Sequence, residues 1–409
     1  MAKNRVVITG MGVVSPIGNN LDDFWNNLKI GYNGINDITF FDTDKFDVKI
    51  AGQSSIDLNH FFDKKELNKL DRFSSFAIIA ADQAIKESNL LSSNFSNDRV
   101  GVIVGSGIGG IGTFEAQHKK LLKNPRFVSP FFIPSMISDI AAGQISIKYG
   151  FKGLNYSIAS ACATSNHAFG DAFKMIQSNL ADVIISGGAE AAITEMSIAG
   201  FSNMKALSKN PDKDLASRPF DKNRDGFVMG EGAGILVLES FKHANKRNAN
   251  IIGEIVGYGA TADAYHITSP DPEAKGGEKA MLNAISDAKI NLDDIQYINA
   301  HGTSTPYNDK IETKAIKNIF KQKSKDLFVT STKSMTGHLL GASGAIEAIA
   351  TILSLNNNYI PPTINYKNFD SECDLNYLPN KGISKTINYG LSNSFGFGGH
   401  NSVIIFKGA

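Results

Sequence analysis

Leu154-Asn155-Tyr156-Ser157-Ile158-Ala159-Ser160, running on through Ala161-Cys162-Ala163-Thr164-Ser165, is the stretch whose reading decides the fold. The first run reads as a buried strand. The second turns into a helical pattern with Phe169, Ala172, Phe173 and Ile176 at one-face spacing. Cys162 therefore stands at a strand-to-helix junction, facing unpaired helix N–H groups and the positive end of a helix. That position predicts an environment favouring thiolate. An ordinary thiol of pKa about 8.5 is roughly 3 % ionised at neutral pH, and a pKa of about 7 makes half of it thiolate. Against the plain alternative of a small buried hydrophobe stand the small neighbours Ala161, Ala163 and Ser165, which leave the sulfur unobstructed. The only other cysteine, Cys373, lies in the acidic, loop-like Ser371-Glu372-Cys373-Asp374 and reads as incidental.

Outward from this junction, strand-like runs alternate with helical ones. Val6–Thr9, Val100–Val104, Val183–Ser186 and Gly234–Leu238 read as strands of one half. Ile251–Val256, Ile295–Asn299, Leu327–Thr330 and Val403–Phe406 read as strands of the other. Helical periodicity marks Phe73–Ala84, Ile311–Phe320 and Ile346–Leu353. Such alternation predicts α/β layers with mainly parallel sheets. The halves echo each other. Gly230-Glu231-Gly232-Ala233-Gly234 leads into Ile235–Leu238, as Gly396-Phe397-Gly398-Gly399-His400 leads into Val403–Phe406. The Ser160–Cys162 turn and Thr330-Ser331, roughly 170 residues apart, both end strands and open helices. We expect two fused halves, residues 1–250 and 251–409, interlocked because no Pro/Ser-rich linker divides them.

Composition bounds the function. The 409 residues are 42 % hydrophobic and 20 % charged, with a formal net charge of +1. That is a globular enzyme's composition, and it supplies no global field for nucleic acid or membrane. Two cysteines argue against a disulfide framework. No apolar run reaches the ~18 residues of a membrane span, and the first residues form neither a signal peptide nor a transit segment. The expected compartment is the cytoplasm, or plastid stroma for an organellar form. No CxxC or HxxxH spacing suggests a metal.

Two histidines sit on the same kind of strand-end loop as Cys162. His301 is in His301-Gly302-Thr303-Ser304-Thr305, and His338 is in Lys333-Ser334-Met335-Thr336-Gly337-His338. Together with Ala161–Ser165, Arg218-Pro219-Phe220-Asp221, Gly226–Gly232 and Asn393–Gly399, these motifs resemble those of the condensing enzymes with the thiolase fold. Within that group they are most similar to the β-ketoacyl-[acyl-carrier-protein] synthase II branch, and the resemblance covers nearly the whole chain. It implies duplicated βαβαβαββ halves stacked as a five-layered αβαβα body. The Cys–His–His set separates the chain from synthase III enzymes, which resemble Cys–His–Asn. Phe397 stands where thiolases carry a second cysteine.

The resemblance implies a decarboxylative Claisen condensation of an acyl chain with malonyl-carrier protein, in fatty acid elongation. Cys162 is the implied nucleophile, and the backbone N–H groups of Cys162 and Phe397 the oxyanion donors. Neutral His301 and His338 are the implied partners of the malonyl-derived enolate, kept neutral with help from Lys333. Glu312 resembles the acidic residue that pairs with that lysine, although Asp309-Lys310-Ile311-Glu312 also reads as a helix capping box. Thr303 and Thr305 resemble the pair that holds the phosphopantetheine arm. Ile108 and Phe201 fall at acyl-pocket positions, and Ile108 stands where synthase I enzymes have glycine. No cofactor is implied, since phosphopantetheine arrives on the acyl carrier protein. A homodimer is implied, burying a central strand and part of the acyl pocket. Lys64, Lys65, Lys69, Lys205 and Lys209 are candidate contacts for the acidic carrier. His400 occupies a position where threonine often stands. Two other readings compete with this one. Gly105-Ser106-Gly107-Ile108-Gly109-Gly110 fits the GxGxxG of a nicotinamide-dependent oxidoreductase, without the expected downstream acid. A non-catalytic polyketide partner subunit would usually lack the cysteine that is present here.

Overall fold

A computed structural model describes residues 3–409. In chain order its main elements are β1 (Val6–Val14), α1 (Arg72–Ser88), β2 (Val100–Gly105), β3 (Asn155–Tyr156), α2 (Thr164–Gln177), β4 (Val183–Glu190) and β5 (Gly232–Ser240). There follow β6 (Gly253–Ala262), α3 (Lys275–Ala288), β7 (Tyr297–Asn299), α4 (Pro306–Phe320), β8 (Phe328–Thr330), α5 (Ser343–Asn357), β9 (Tyr389–Gly396) and β10 (His400–Gly408).

The ten strands join in the order β8-β7-β9-β10-β6-β1-β5-β4-β2-β3. Counting each half from its own first strand, both read 3-2-4-5-1 from the edge inward. The halves meet where β1 pairs with β6 through Val6, Val7 and Ile8. The mainly parallel expectation is corrected to a mixed sheet. Pairs toward the two outer edges are parallel, whereas those from β9 across to β4 are antiparallel. β10 returns antiparallel to β9 through the tight turn at 397–399, whereas β5 returns antiparallel to β4 after residues 191–231, which carry two short helices.

α1 covers the outer face of one half and α3 the outer face of the other, while α2 and α5 contact strands of both halves between them. This is the five-layered αβαβα body. Its inner helices show it in their sequence. α5, Ser-Gly-Ala-Ile-Glu-Ala-Ile-Ala-Thr-Ile-Leu-Ser-Leu-Asn-Asn, is buried on all sides for most of its length, as a helix with no polar face must be.

The repeat reaches the level of single contacts. On β1, a Cβ at Gly10 or Gly12 would lie 2.1 or 1.9 Å from the carbonyl oxygens of Ala84 and Ala80 on α1. On β6, a Cβ at Gly257 or Gly259 would lie 2.3 or 2.1 Å from those of Ala284 and Ala280 on α3. Each half thus seats an outer helix directly on its first strand by glycine-to-alanine contact.

The opening stretch differs from its reading. Only Asn155 and Tyr156 form a strand, partly exposed, and Ser157–Ser160 run on without sheet pairing. Among the described residues β3 pairs with β2 alone, so its other edge carries no strand there. β9 was not read as a strand, because Tyr389-Gly390-Leu391-Ser392-Asn393-Ser394 lacks the β-branched residues that signal one.

Gly12→Ala and Gly259→Ala should each cost about 1–3 kcal/mol or more by overpacking. Gly200→Ala is the control, since nothing lies within 4 Å of its Cβ, and it should be neutral or stabilising by up to ~1 kcal/mol as a helix-interior glycine replacement. Denaturant unfolding of the three variants checks this. Equal effects would contradict the close-approach account.

Candidate active site

Cys162 lies in a single 3-10 turn, Ala161–Ala163, that feeds directly into α2. The turn needs Ala161 at φ +50, in the left-handed region that a residue with a Cβ rarely takes. Thr164 holds it there: its hydroxyl donates to the Ala161 carbonyl at 2.7 Å and accepts the Ser160 N–H at 2.9 Å. The Phe397 N–H is directed at the Cys162 sulfur. A Cβ on Gly396 would come within 3.2 Å of the Cys162 nitrogen, so the glycine loop lies hard against this turn.

The expected thiolate-favouring environment is corrected. Burial is the largest effect on Cys162 and pushes its thiol up to about 12. Lys333 and the Phe397 N–H pull it down, while Glu190 and Glu347 push it up. The helix end is present, but Cys162 is buried, 8 % exposed, and desolvation outweighs it. Burial thus favours the thiol form of Cys162.

His301 and His338 meet it. The sulfur and one nitrogen from each ring all lie within 4.8 Å of one another, and the two rings stand edge to face with centroids 5.3 Å apart. His338 follows Gly337, which takes φ +69. It is tied to the Gly226–Gly232 motif by its N–H to Val228 and by its carbonyl, which accepts from Gly230. Its Nδ1 accepts the Leu340 N–H at 3.2 Å and so carries no proton. The Ser343 hydroxyl, 2.8 Å away, therefore donates to the same nitrogen, and the His338 proton sits on Nε2. Both imidazoles are held well below their ordinary value of 6.5. For His301 the causes are burial, then Lys333, then His338; for His338 they are burial, then Lys333.

Lys333 is 1 % exposed and its Nζ pairs with Glu347 of α5. The expected Lys333–Glu312 pair is corrected accordingly. Glu312 instead accepts the backbone N–H groups of His301 and Gly302, each at 2.8 Å, and the Asn393 amide at 2.9 Å. Nor is it part of a capping box, because α4 begins at Pro306 and Glu312 lies well inside it. Its task is to fix the loop that carries His301.

Cys162, His301 and His338 open into a cavity of about 450 Å³. Ile108, Phe201, Thr303, Thr305 and Phe397 also line it, so eight of the expected site residues share one space, with Lys333 and Glu312 supporting from behind. Phe201 packs on Phe227 at 5.5 Å and on Phe397 at 6.4 Å between ring centroids. The Thr303 and Thr305 hydroxyls bond each other at 2.8 Å on the cavity wall. Sulfur and two imidazole nitrogens are donors that zinc takes. Here a buried ammonium stands close enough to depress both rings, which opposes a divalent cation at the same place.

The glycine-rich run at 105–110 does follow a strand and precede a helix, at Ile111–Leu121. Its N–H groups are already committed: Gly107 and Ile108 donate to the Glu190 carboxylate at 2.8 and 3.2 Å. A phosphate cradle cannot form on them, and the dinucleotide reading falls. Glu190 also takes the Gly341 N–H at 3.0 Å, joining the Ile108 loop to the segment after His338. Glu190 and Glu347 were both missed in the sequence. The available signal was a lone carboxylate inside an otherwise apolar element. Of the five lysines, Lys64, Lys65 and Lys69 are exposed, and Lys69 lies over the Phe131 ring at 5.2 Å. Lys205 stands on the cavity rim. Lys209 is bonded to Asp47 at 2.5 Å. Cys373 is fully buried and away from the cavity.

Comparison with known proteins matches residues 3–244 to the N-terminal domain of Beta-ketoacyl synthase and residues 252–367 to its C-terminal domain. The chain is 54 % identical over 410 aligned residues to the 3-oxoacyl-[acyl-carrier-protein] synthase 2 of Staphylococcus aureus, covering 100 % of this chain and 99 % of the relative. The Synechocystis protein of the same name is 48 % identical with the same coverage. Among solved structures, a type II PKS ketosynthase in complex with its acyl-carrier protein matches with a TM-score of 0.93 at 34 % identity, covering 100 % of both chains. A beta-ketoacyl synthase from Burkholderia phymatum gives 0.92 at 33 %, covering 99 % of this chain and 100 % of the other.

Proposed function

Because this chain belongs to the β-ketoacyl synthase family, its chemistry is decarboxylative condensation in fatty acid elongation, and we propose how the residues of this cavity perform it. The observation that carries the assignment is the approach of one thiol and two neutral imidazoles within 4.8 Å in a single cavity. The residues at 1–250 then bring the nucleophile and those at 251–409 both histidines.

In the first stage the Cys162 sulfur attacks the thioester carbon of an acyl-carrier protein. A sulfur–carbon bond forms, the pantetheine sulfur leaves, and it takes up the proton that Cys162 surrenders. The tetrahedral oxyanion lies against the Cys162 and Phe397 N–H groups, where outright loss of one donor costs ~2.7–4 kcal/mol. The acyl chain extends past Ile108 and Phe201. In the second stage malonyl-carrier protein enters, its pantetheine arm against Thr303 and Thr305. The bond to the carboxylate breaks, carbon dioxide leaves, and the electron pair passes into an enolate. The His338 Nε2–H and the N–H of neutral His301 donate to the enolate oxygen. The carbanion attacks the acyl carbon, the sulfur–carbon bond breaks as the 3-oxoacyl-carrier protein forms, and Cys162 leaves as a thiolate that takes up a proton from water to restore the thiol. No step calls on a bound cofactor.

The carrier protein is the proposed partner, and the solved ketosynthase bound to an acyl-carrier protein supports it. Lys205 on the rim and exposed Lys64, Lys65 and Lys69 offer it positive charge. The proposed homodimer rests on the open edge of β3 and on apolar side chains exposed nearby in sequence: Phe127 at 59 %, Ile133 at 55 %, Phe131 at 42 % and Leu154 at 37 %. Sedimentation at twice the 44.0 kDa chain mass is its expected signature. Among the described residues, no helix is long and apolar enough to cross a membrane. With a water-borne carrier as partner, the reading places the protein in the cytoplasm.

Two measurements check this. Since burial and Lys333 keep both rings neutral, CO2 release from malonyl-carrier protein should show no loss as pH falls through 6.5. Replacing the buried pair by Lys333→Met with Glu347→Gln removes the cation, and the acid limb should move upward by about one pH unit. A wild-type midpoint near the ordinary imidazole value, or identical profiles, would contradict the assignment. Charge reversal at Lys65 and Lys69 should raise KM for acyl-carrier protein several-fold through weaker steering, with alkylation of Cys162 unaltered. An unchanged KM would remove the docking face.

A further inference from the structure

Behind the cavity wall lies a second histidine pair that takes no part in the reaction described. His167 is on α2, little more than one turn after Cys162, and His400 is the first residue of β10. Their rings stand edge to face, 6.2 Å between centroids at 89°. His167 Nδ1 bonds the Ser160 hydroxyl at 2.7 Å. On the other side, a Cβ on Gly398 would lie 3.0 Å from His400 Nε2, so the His400 ring props the glycine turn, where Gly398 and Gly399 take φ +86 and +73. None of Ser160, His167 and His400 lines the cavity.

The chain Ser160–His167–His400 therefore begins on the turn that presents the Cys162 N–H and ends beneath the hairpin that presents the Phe397 N–H. These two elements lie directly against each other. Gly396 pairs with His400 across the hairpin, and a Cβ there would meet the Ser160 carbonyl at 2.8 Å. A shift of either imidazole moves one donor relative to the other. We propose that His167 and His400 are positioning residues that set the spacing of the two oxyanion donors through Ser160 and the glycine hairpin. Burial, with His400 beside it, holds His167 down at about 4. It is thus neutral at working pH and keeps its bond to Ser160 without charging the site.

The proposal rests on the two-donor reading of the reaction, and it predicts a split. Acyl transfer and condensation pass through the tetrahedral oxyanion. Decarboxylation places its charge on the enolate oxygen, at His301 and His338, and is indifferent to the Cys162–Phe397 spacing. Single-turnover acylation of Cys162 by acyl-carrier protein, read by intact mass, is compared with CO2 release from malonyl-carrier protein. His167→Phe and His400→Ala should slow acylation about ten- to hundred-fold, less than the 10²–10³ of an outright lost donor, with CO2 release unchanged. His167→Asn, which restores a partner for Ser160, and His400→Phe, which restores the prop, should recover most of the rate. Wild-type acylation in both disruptive variants overturns the proposal, as does an equal fall in both reactions without recovery in the conservative pair. A wild-type protein that never acquires the acyl group on Cys162 overturns the two-donor reading itself.

Discussion

Everything at this site depends on two buried helices sharing the layer between the sheet halves. α2 begins directly after the turn that carries Cys162 and α5 begins shortly after His338, and their starting ends meet. The Ser165 hydroxyl donates to the Gly341 carbonyl, and the Asn166 amide donates to the carbonyls of Ser392 and Ser402 on β9 and β10, at 3.2 and 3.4 Å. Glycines let each outer helix sit directly on its first strand. With the outer layers so fixed, the middle layer has little freedom. A nucleophile and two histidines, all far apart in sequence, then converge because duplication places matching strand ends on opposite sides of one space.

The electrostatics of that space divide the labour. Burial opposes charge on the thiol and on the imidazoles alike. For the imidazoles this is what the proposed reaction asks, since a neutral ring donates to an enolate and stays uncharged. For the thiol it is an obstacle. Lys333 and the Phe397 N–H offset part of it, and in the proposed reaction attack on a thioester completes the ionisation by passing the proton to the departing thiol. Lys333 serves both ends, drawing the sulfur toward thiolate and keeping the rings neutral. Its own charge is tolerable in the core because Glu347 lies against it, and burial correspondingly pushes Glu347 up to about 7. Removing one partner would leave the other buried and uncompensated.

Much of this was legible in the residues. The repeated Gly-rich run into an apolar strand located β5 and β10, and the loops after predicted strands located Cys162, His301 and His338. What was not legible depended on tertiary contact. Leu154–Ser160 reads as a buried strand from composition, yet only Asn155 and Tyr156 pair, on one side alone among the described residues. Glu312 sits where a capping box would place it, but α4 starts at Pro306 and turns that carboxylate toward the His301 backbone. Glu347 falls within Ile346–Leu353, a run whose reading rested on its apolar periodicity. The thiol's ionisation turns on the contest between a helix end and full desolvation, and only burial in three dimensions decides it. His400, uninterpretable in the sequence, acquires a role once His167 is seen beside it.

The central claim is that sulfur chemistry and enolate chemistry occupy one cavity but use different groups. Rapid-quench single turnovers of the His301→Ala/His338→Ala protein, with acyl-Cys162 and CO2 followed in the same mixture, test it most directly. The account predicts acylation within about tenfold of wild type and CO2 release reduced by at least ~10²-fold. Persistence of CO2 release, or collapse of both reactions together, would contradict it.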